Sequence, residues 1–226
     1  MTGLRPNELV NDLLEAIRHW LPAQRWFAAK RRGITSIEPR HAATIIDGHA
    51  GLVQALVDVD GALYHLLLGV RDELAEHVAH AVIGHVDGWH VYDAPHDPEL
   101  MGHLLDLLAS DTDSGGLRFR HEPWAELRRG LRARPIGVEQ SNTSVIYGHH
   151  YILKLFRRPT AGPNRDVDLH RALHDAGSTH IAEPLGTIEG HLADAPDVPM
   201  TFGFLQRFLP DAVEGWATAT ASVRDL

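Results

Sequence analysis

Residues 137–158, GVEQSNTSVIYGHHYILKLFRR, constrain this chain more than any other stretch. They read as two or three short strands around a polar turn, Ser141-Asn142-Thr143-Ser144. One lysine, Lys154, follows, flanked by Ile152 and Leu153 and by Leu155 and Phe156. A cation among apolar neighbours costs free energy unless an anion meets it. A bound phosphate, steadied by a carboxylate from the next helix, would supply that anion. The small polar residues of the turn offer backbone N–H groups and hydroxyls to phosphate oxygens, a task more often given to glycine. Taken alone, a polar tetrapeptide between strands is equally an ordinary turn.

The next helix is signalled by Pro163-Asn164, runs over about 165–176 and ends at Gly177. Val167, Leu169, Ala172 and Leu173 are its apolar positions. Asp166 and Asp168 lie in its early part, where acids suit the helix dipole. With a strand lysine just upstream, one of them is expected to pair with Lys154, and Asp168 is preferred to Asp166. His170 and His174 face the same way, but a metal needs further ligands and none stands out. Beyond, 181–188 reads as a strand broken by Pro184, 191–199 as a loop, and 201–208 (TFGFLQRF) as an apolar strand. Pro210 and Asp211 turn the chain into a helical start carrying Trp216 as an anchor.

Upstream, 7–21 is an amphipathic helix with Asn7 as the expected cap and Pro22 as its stop. Trp26 and Phe27 are core candidates. Lys30, Arg31 and Arg32 form a basic turn, either solvated or facing a phosphate or partner. Three strands follow, 34–46, 51–59 and 62–70, the last two joined by the hairpin signal Asp60-Gly61. Asp72 is expected to cap a helix over 73–83, on which His77 and His80 make a surface pair. A strand near 89–92 precedes Asp97-Pro98-Glu99, a helix start, and Leu100 to Leu108 give that helix a wide apolar stripe. Residues 111–116 read as a loop, 117–121 as a strand, 127–135 as a basic connector, and 138–140 as a further strand.

Bulk properties narrow the class. The chain has 226 residues, enough for one or two domains, and no cysteine, hence no disulfide framework or thiolate metal site. No apolar run approaches the ~20 residues of a membrane span, and the first residues lack a secretory pattern. The net charge of −9 argues against general nucleic-acid binding. A cytoplasmic protein without nucleic-acid or membrane partners is the expectation.

The segments QRWFAAK (24–30), GVEQSNTSVIYG (137–148), ILKLFRR (152–158), NRDVDLHRAL (164–173) and FLPDAVEGWATATASVRDL (208–226) carry a resemblance. Through them the chain resembles the N-terminal half of actinobacterial maltokinases, of the aminoglycoside-phosphotransferase and protein-kinase-like superfamily. The resemblance implies an α+β fold: a small antiparallel-sheet cap over 1–85, then an intermediate subdomain with a kinase-like N-lobe over 86–208. That lobe is an antiparallel sheet with one helix placed like a kinase αC. Residues 209–226 would be the hinge exit and the start of a C-lobe helix.

The resemblance also implies transfer of the ATP γ-phosphate to the anomeric hydroxyl of maltose. The maltose 1-phosphate formed would feed α-glucan and glycogen synthesis, with trehalose synthase as a possible partner. On this mapping ATP meets Ser141, Asn142, Thr143 and Ser144 as the phosphate-covering loop, and Lys154 as the phosphate lysine. Asp168 stands where glutamate is usual, and Gln206, Arg207 and Phe208 form the hinge, whose backbone would meet the adenine edge. The catalytic loop, the Mg²⁺ ligands and most of the maltose site are expected beyond residue 226. No catalytic residue and no metal ligand is therefore assigned within the chain, and alone it is expected to be inactive. Two alternatives stay open: another sugar kinase of the superfamily, such as a glucosamine kinase, or a non-catalytic module that docks trehalose synthase.

Overall fold

The computed structural model describes residues 5–29, 33–136, 141–192 and 195–210. Its first unit is helix α1 (Pro6–Trp20) against a five-stranded antiparallel sheet of β1 (Ile37–Ile46), β2 (Ala50–Val59), β3 (Ala62–Arg71), β4 (Val82–Val86) and β5 (Trp89–Asp93). The strand order is β1-β2-β3-β5-β4. Leu9, Val10, Leu13 and Ile17 form the buried stripe of α1 and meet Trp26, Phe27 and Tyr64 in one core. Asn7 does not cap this helix. Pro6 opens it, and the Asn7 side chain accepts a hydrogen bond from the Ala42 amide at 3.0 Å, serving a backbone donor on edge strand β1. Asp60 and Gly61 both take positive φ (52° and 80°), the backbone of a tight type I′ hairpin between β2 and β3.

The other face of this sheet is covered as well. Helix α2 (Pro98–Ala109) lays Leu100, Met101, Leu104, Leu105 and Leu108 into a second core shared with Leu52, Leu56 and Leu67. That is why β2 reads as an almost unbroken apolar run rather than alternating. Asp97 caps α2 through the Glu99 amide and is fully buried. Burial alone pushes its carboxyl up, but hydrogen bonds from the Tyr92 hydroxyl (2.6 Å) and Arg71 (2.9 Å) outweigh this and hold it below the usual carboxylate range.

The second unit is a seven-stranded antiparallel sheet of β6 (Asp113–Ser114), β7 (Leu117–His121), β8 (Ala133–Ile136), β9 (Asn142–Tyr147), β10 (Tyr151–Phe156), β11 (Pro184–Leu192) and β12 (Ala195–Arg207). Its order is β6-β7-β11-β12-β10-β9-β8, and one helix, α3 (Arg165–Asp175), lies on it. The α+β class, with two antiparallel sheets and few helices, is as the sequence indicates.

Several local expectations need correction. Residues 73–83 hold no α-helix; a short 3₁₀ segment, Glu76–Ala81, replaces it. The expected loop over 191–199 is mostly strand, because β12 begins at Ala195 and pairs back on β11. A boundary at residue 85 would cut the first sheet in two, since β5 pairs with both β3 and β4 and ends at Asp93. The expected strand over 138–140, the basic turn at Lys30, Arg31 and Arg32, and Trp216 lie outside the described residues, as does nearly all of 209–226.

Candidate functional site

Lys154 occupies the fourth position of β10, a strand whose burial alternates strictly. Tyr151, Leu153 and Leu155 enter the core, so Ile152, Lys154 and Phe156 fall on the opposite, partly open face. The lysine is thus not buried among its sequence neighbours; its side chain keeps 23% exposure. Register fixes what surrounds it. Lys154 stands between Ser144 of β9 and Phe204 of β12, and Ile152 between Ile146 and Gln206. Two cross-strand rows result on one face, Ser144–Lys154–Phe204 and Ile146–Ile152–Gln206, about 7 Å apart along the strands.

The acid that meets Lys154 is Asp166. Its Oδ2 lies 3.2 Å from the ammonium, and Asp168, the residue expected there, is exposed. The helical period explains the correction. Residues two apart on a helix are about 200° apart around its axis, so only one of the two acids can face the sheet. His170, four residues after Asp166, shares its side. Its Nδ1 lies 3.1 Å from Asp166 Oδ1 and its ring stands edge-on to Phe204 at 5.4 Å. Asn164 starts α3 by accepting hydrogen bonds from the Asp166 and Val167 amides, which sets the first turn against the strand. At its far end Arg171 pairs with Glu122 (2.6 Å) and His174 stacks on Trp124.

The polar tetrapeptide is not a turn. Asn142, Thr143 and Ser144 are the first residues of β9, in register with Phe156, Leu155 and Lys154. Ser141 alone precedes the strand. The Ser144 Oγ is fully buried on the Lys154 face without a hydrogen-bond partner. The hinge residues are also differently engaged than expected. The Arg207 amide donates to Glu183 O and the Phe208 amide to His150 O, both at 2.9 Å. Arg207 and Phe208 therefore have no backbone N–H left for a base, whereas the buried Gln206 side chain has an unpartnered Nε2.

Sequence reasoning missed Arg157, the largest fully buried side chain among the described residues. It follows the strand of Lys154 and ties the two units together. Its Nη2 donates to both Asp93 oxygens at 2.9 Å, its Nε to Thr143 Oγ1 at 2.8 Å, and its guanidinium lies 4.6 Å over the Trp26 ring. Beside it, the His65 amide donates to Arg157 O (2.9 Å), and His65 Nδ1 lies 3.3 Å from Phe156 O. Burial, then the nearby Arg157 charge, push the His65 imidazole down to about 3. The only sequence signal for Arg157 was its place directly after an apolar strand, where an arginine ordinarily meets solvent.

Comparison with known proteins agrees with this architecture. Residues 20–97 match the maltokinase N-terminal cap domain. A glucosamine kinase of Mycolicibacterium smegmatis is 35% identical over 92 residues, 41% of this chain and 23% of that protein. A solved glucosamine kinase in complex with glucosamine, ADP and inorganic phosphate superposes with a TM-score of 0.58 at 19% identity, over 94% of this chain and 44% of that one. A second crystal form of a glucosamine kinase gives 0.54 at 18% identity, over 92% and 44%. The chain spans less than half the length of each of these relatives. Over residues 20–97 the chain is similar to the maltokinase N-terminal cap domain, and nearly all of it shares a fold found in part of the glucosamine kinases.

Proposed function

We propose that this chain is the nucleotide-side portion of an ATP-dependent sugar kinase, with maltose as the acceptor sugar. The observation that carries the reading is the Lys154–Asp166 pair on the partly open face of the sheet, beside the orphaned Ser144 hydroxyl. A lysine held by a helix acid keeps its direction while still exposed enough to meet a phosphate. The Ser144 Oγ has hydrogen-bonding capacity that nothing in the described residues uses, and a phosphate oxygen would satisfy it. In the next row Ile152 is partly exposed beside the buried Ile146, an apolar patch that a flat base could border.

These residues fit a nucleoside triphosphate. When bound, ATP would supply the transferable phosphoryl group. Lys154 would hold its phosphates, Asp166 and His170 would keep the ammonium in place, and the Ser144–Lys154 row would orient the chain of phosphates along the strands. Mg²⁺ is assigned no ligand here. The maltose assignment rests on the cap domain, and the product would be a sugar 1-phosphate destined for α-glucan synthesis in the cytoplasm. Glucosamine is the second reading, favoured by the glucosamine kinases that share the fold.

The test has two parts. Titrating ATP into the ¹⁵N-labelled chain should shift Lys154 and its β9 and β12 neighbours, and Lys154→Ala should abolish the response. A coupled ADP-release assay on the 226-residue chain should show no maltose-dependent turnover, and the complete gene product should show it with maltose rather than glucosamine. No ATP response at Lys154 would sink the nucleotide reading, and a preference for glucosamine would replace the acceptor.

A further inference from the structure

We infer that His80 and His96 form a two-histidine site for a late first-row divalent metal ion such as Ni²⁺ or Zn²⁺. The site lies in the first unit and does not depend on the nucleotide reading. In the sequence His80 pairs with His77 as a surface couple, but in the fold its neighbour is His96. His80 Nε2 lies 3.1 Å from His96 Nδ1, across 16 residues of chain. His80 belongs to the 3₁₀ segment Glu76–Ala81 before β4, and His96 ends a second such segment, Ala94–His96, after β5. Val78 and Ala81 anchor the first segment in the core and Ala94 anchors the second. Both rings are therefore carried by fixed backbone, as a preorganised site requires.

A hydrogen bond between two neutral rings is one account of the contact, but the surroundings suit an ion. Metal bonds of about 2.0–2.1 Å set two ligand nitrogens about 3.3 Å apart at a tetrahedral angle and about 2.9 Å apart at a right angle. The observed 3.1 Å falls between. His96 turns its other nitrogen, Nε2, toward Asp93 Oδ2 at 4.0 Å. A carboxylate behind a ligating imidazole favours the tautomer whose forward nitrogen keeps its lone pair. Burial pushes the His96 imidazole below the ordinary histidine range, and the Asp93 charge opposes this without outweighing it. The ring is thus neutral at neutral pH, the form a metal takes. His80 is exposed, which gives an ion a way in. On binding, the proton on His80 Nε2 passes through water to its own Nδ1, so both imidazoles stay neutral. His77 stays apart, 3.9 Å from Asp97 Oδ1. Among the described residues no group of three or more histidine or acidic side chains is placed to hold one ion, so water completes the coordination. The ion would clip the two 3₁₀ segments together beside Asp93, the acid that holds Arg157.

The chain holds 17 histidines, so binding must be located as well as measured. The experiment titrates Ni²⁺, Zn²⁺ and Mg²⁺ separately into the untagged, ¹⁵N-labelled 226-residue chain at pH 7.5. Calorimetry should give one Ni²⁺ or Zn²⁺ per chain with a Kd of about 1–100 µM, the range of an open site, and no Mg²⁺, which prefers oxygen ligands. Paramagnetic Ni²⁺ should broaden the His80 and His96 amide signals before those of any other histidine. His80→Ala and the size-conserving His80→Gln should each weaken binding at least about tenfold, the loss of one of two ligands. His85→Ala changes the other stacked histidine pair of this sheet, His85–His90, and should leave the affinity within about twofold. Both His80 variants should melt with the parent when no metal is added, because the side chain is exposed. Added Ni²⁺ should raise the melting temperature of the parent and not of these variants. An affinity unchanged in both His80 variants overturns the site, as does broadening that begins at other histidines. Binding no tighter than about 1 mM overturns it too, since isolated surface imidazoles would then suffice.

Discussion

Arg157 and Asp93 are 64 residues apart in sequence and meet inside the molecule, one guanidinium nitrogen 2.9 Å from each carboxylate oxygen. The pair links the last strand of the first sheet to the residue after β10. Arg157 is 1% exposed, so its charge depends on this partner. Asp93→Ala should destabilise the chain by about 3–5 kcal/mol in urea unfolding, because it strands a buried cation. Replacing both residues, as Asp93→Leu with Arg157→Met, should recover most of that loss. A double variant as unstable as the single would show that the ion pair contributes more than an apolar contact could.

The two early acids of α3 should behave differently. Asp166→Asn should weaken ATP binding at least fivefold while costing no more than about 0.5 kcal/mol of stability, since Lys154 and Asp166 are both partly solvated. Asp168→Asn should leave both quantities unchanged. Affinity by NMR titration and stability by urea unfolding separate the cases. An equal effect of both variants would mean that net charge, rather than the Lys154 contact, is what matters.

Stability should depend on pH through His65. Its folded-state value is depressed to about 3, from the 6.5 of an unperturbed histidine. Between these values the unfolded chain binds a proton that the folded chain refuses, so stability is full above pH 6.5 and falls as the pH drops toward 3. The slope contributed is up to about 1.4 kcal/mol per pH unit. Urea midpoints from pH 7.5 to 4.5 measure it, and His65→Gln should flatten the curve in that window.

Two glycines should respond in opposite ways to alanine. A methyl at Gly69 would come within 2.3 Å of the Tyr92 ring, whose hydroxyl is held by Asp97. Gly69→Ala should therefore cost more than about 2 kcal/mol. Gly102 lies inside α2 with open space around it, and Gly102→Ala should stabilise by about 0.5–1 kcal/mol. Thermal melts of the two variants should move to opposite sides of the parent.

Much of the fold was legible because its signals are local. The Asp60-Gly61 hairpin, the Asp97-Pro98 start of α2, the Asn164 cap of α3 and the apolar periods of α1 and α2 each follow from residues close in sequence. What could not be read depends on pairing at a distance. Asn7 looks like a cap until β1 brings the Ala42 amide to it. Ser141 to Ser144 look like a turn until β10 draws three of them into a strand. Residues 195–199 look like a loop because Asp197 and Pro199 are poor strand formers, yet they stay extended between Ala195, paired with Leu192, and Met200, paired with Gly190 of β11. Within the candidate site, Lys154 was identifiable from its strand, but the choice between Asp166 and Asp168 needed the angle of α3. Arg157 gave no signal because its partners, Asp93, Thr143 and Trp26, are scattered along the chain.

Strand β12 is hydrogen-bonded on both sides, to β10 and to β11, nearly to its last residue. A pull on the chain at Pro210, directed along the strand, loads both ladders in shear, so many hydrogen bonds must fail together rather than one after another. The wall carrying Lys154 and Gln206 is therefore mechanically stiff toward whatever tugs on its exit. Rotations of an attached body would be absorbed at Leu209 and Pro210, beyond the last paired amide at Phe208, and would leave the spacing of the two rows unchanged.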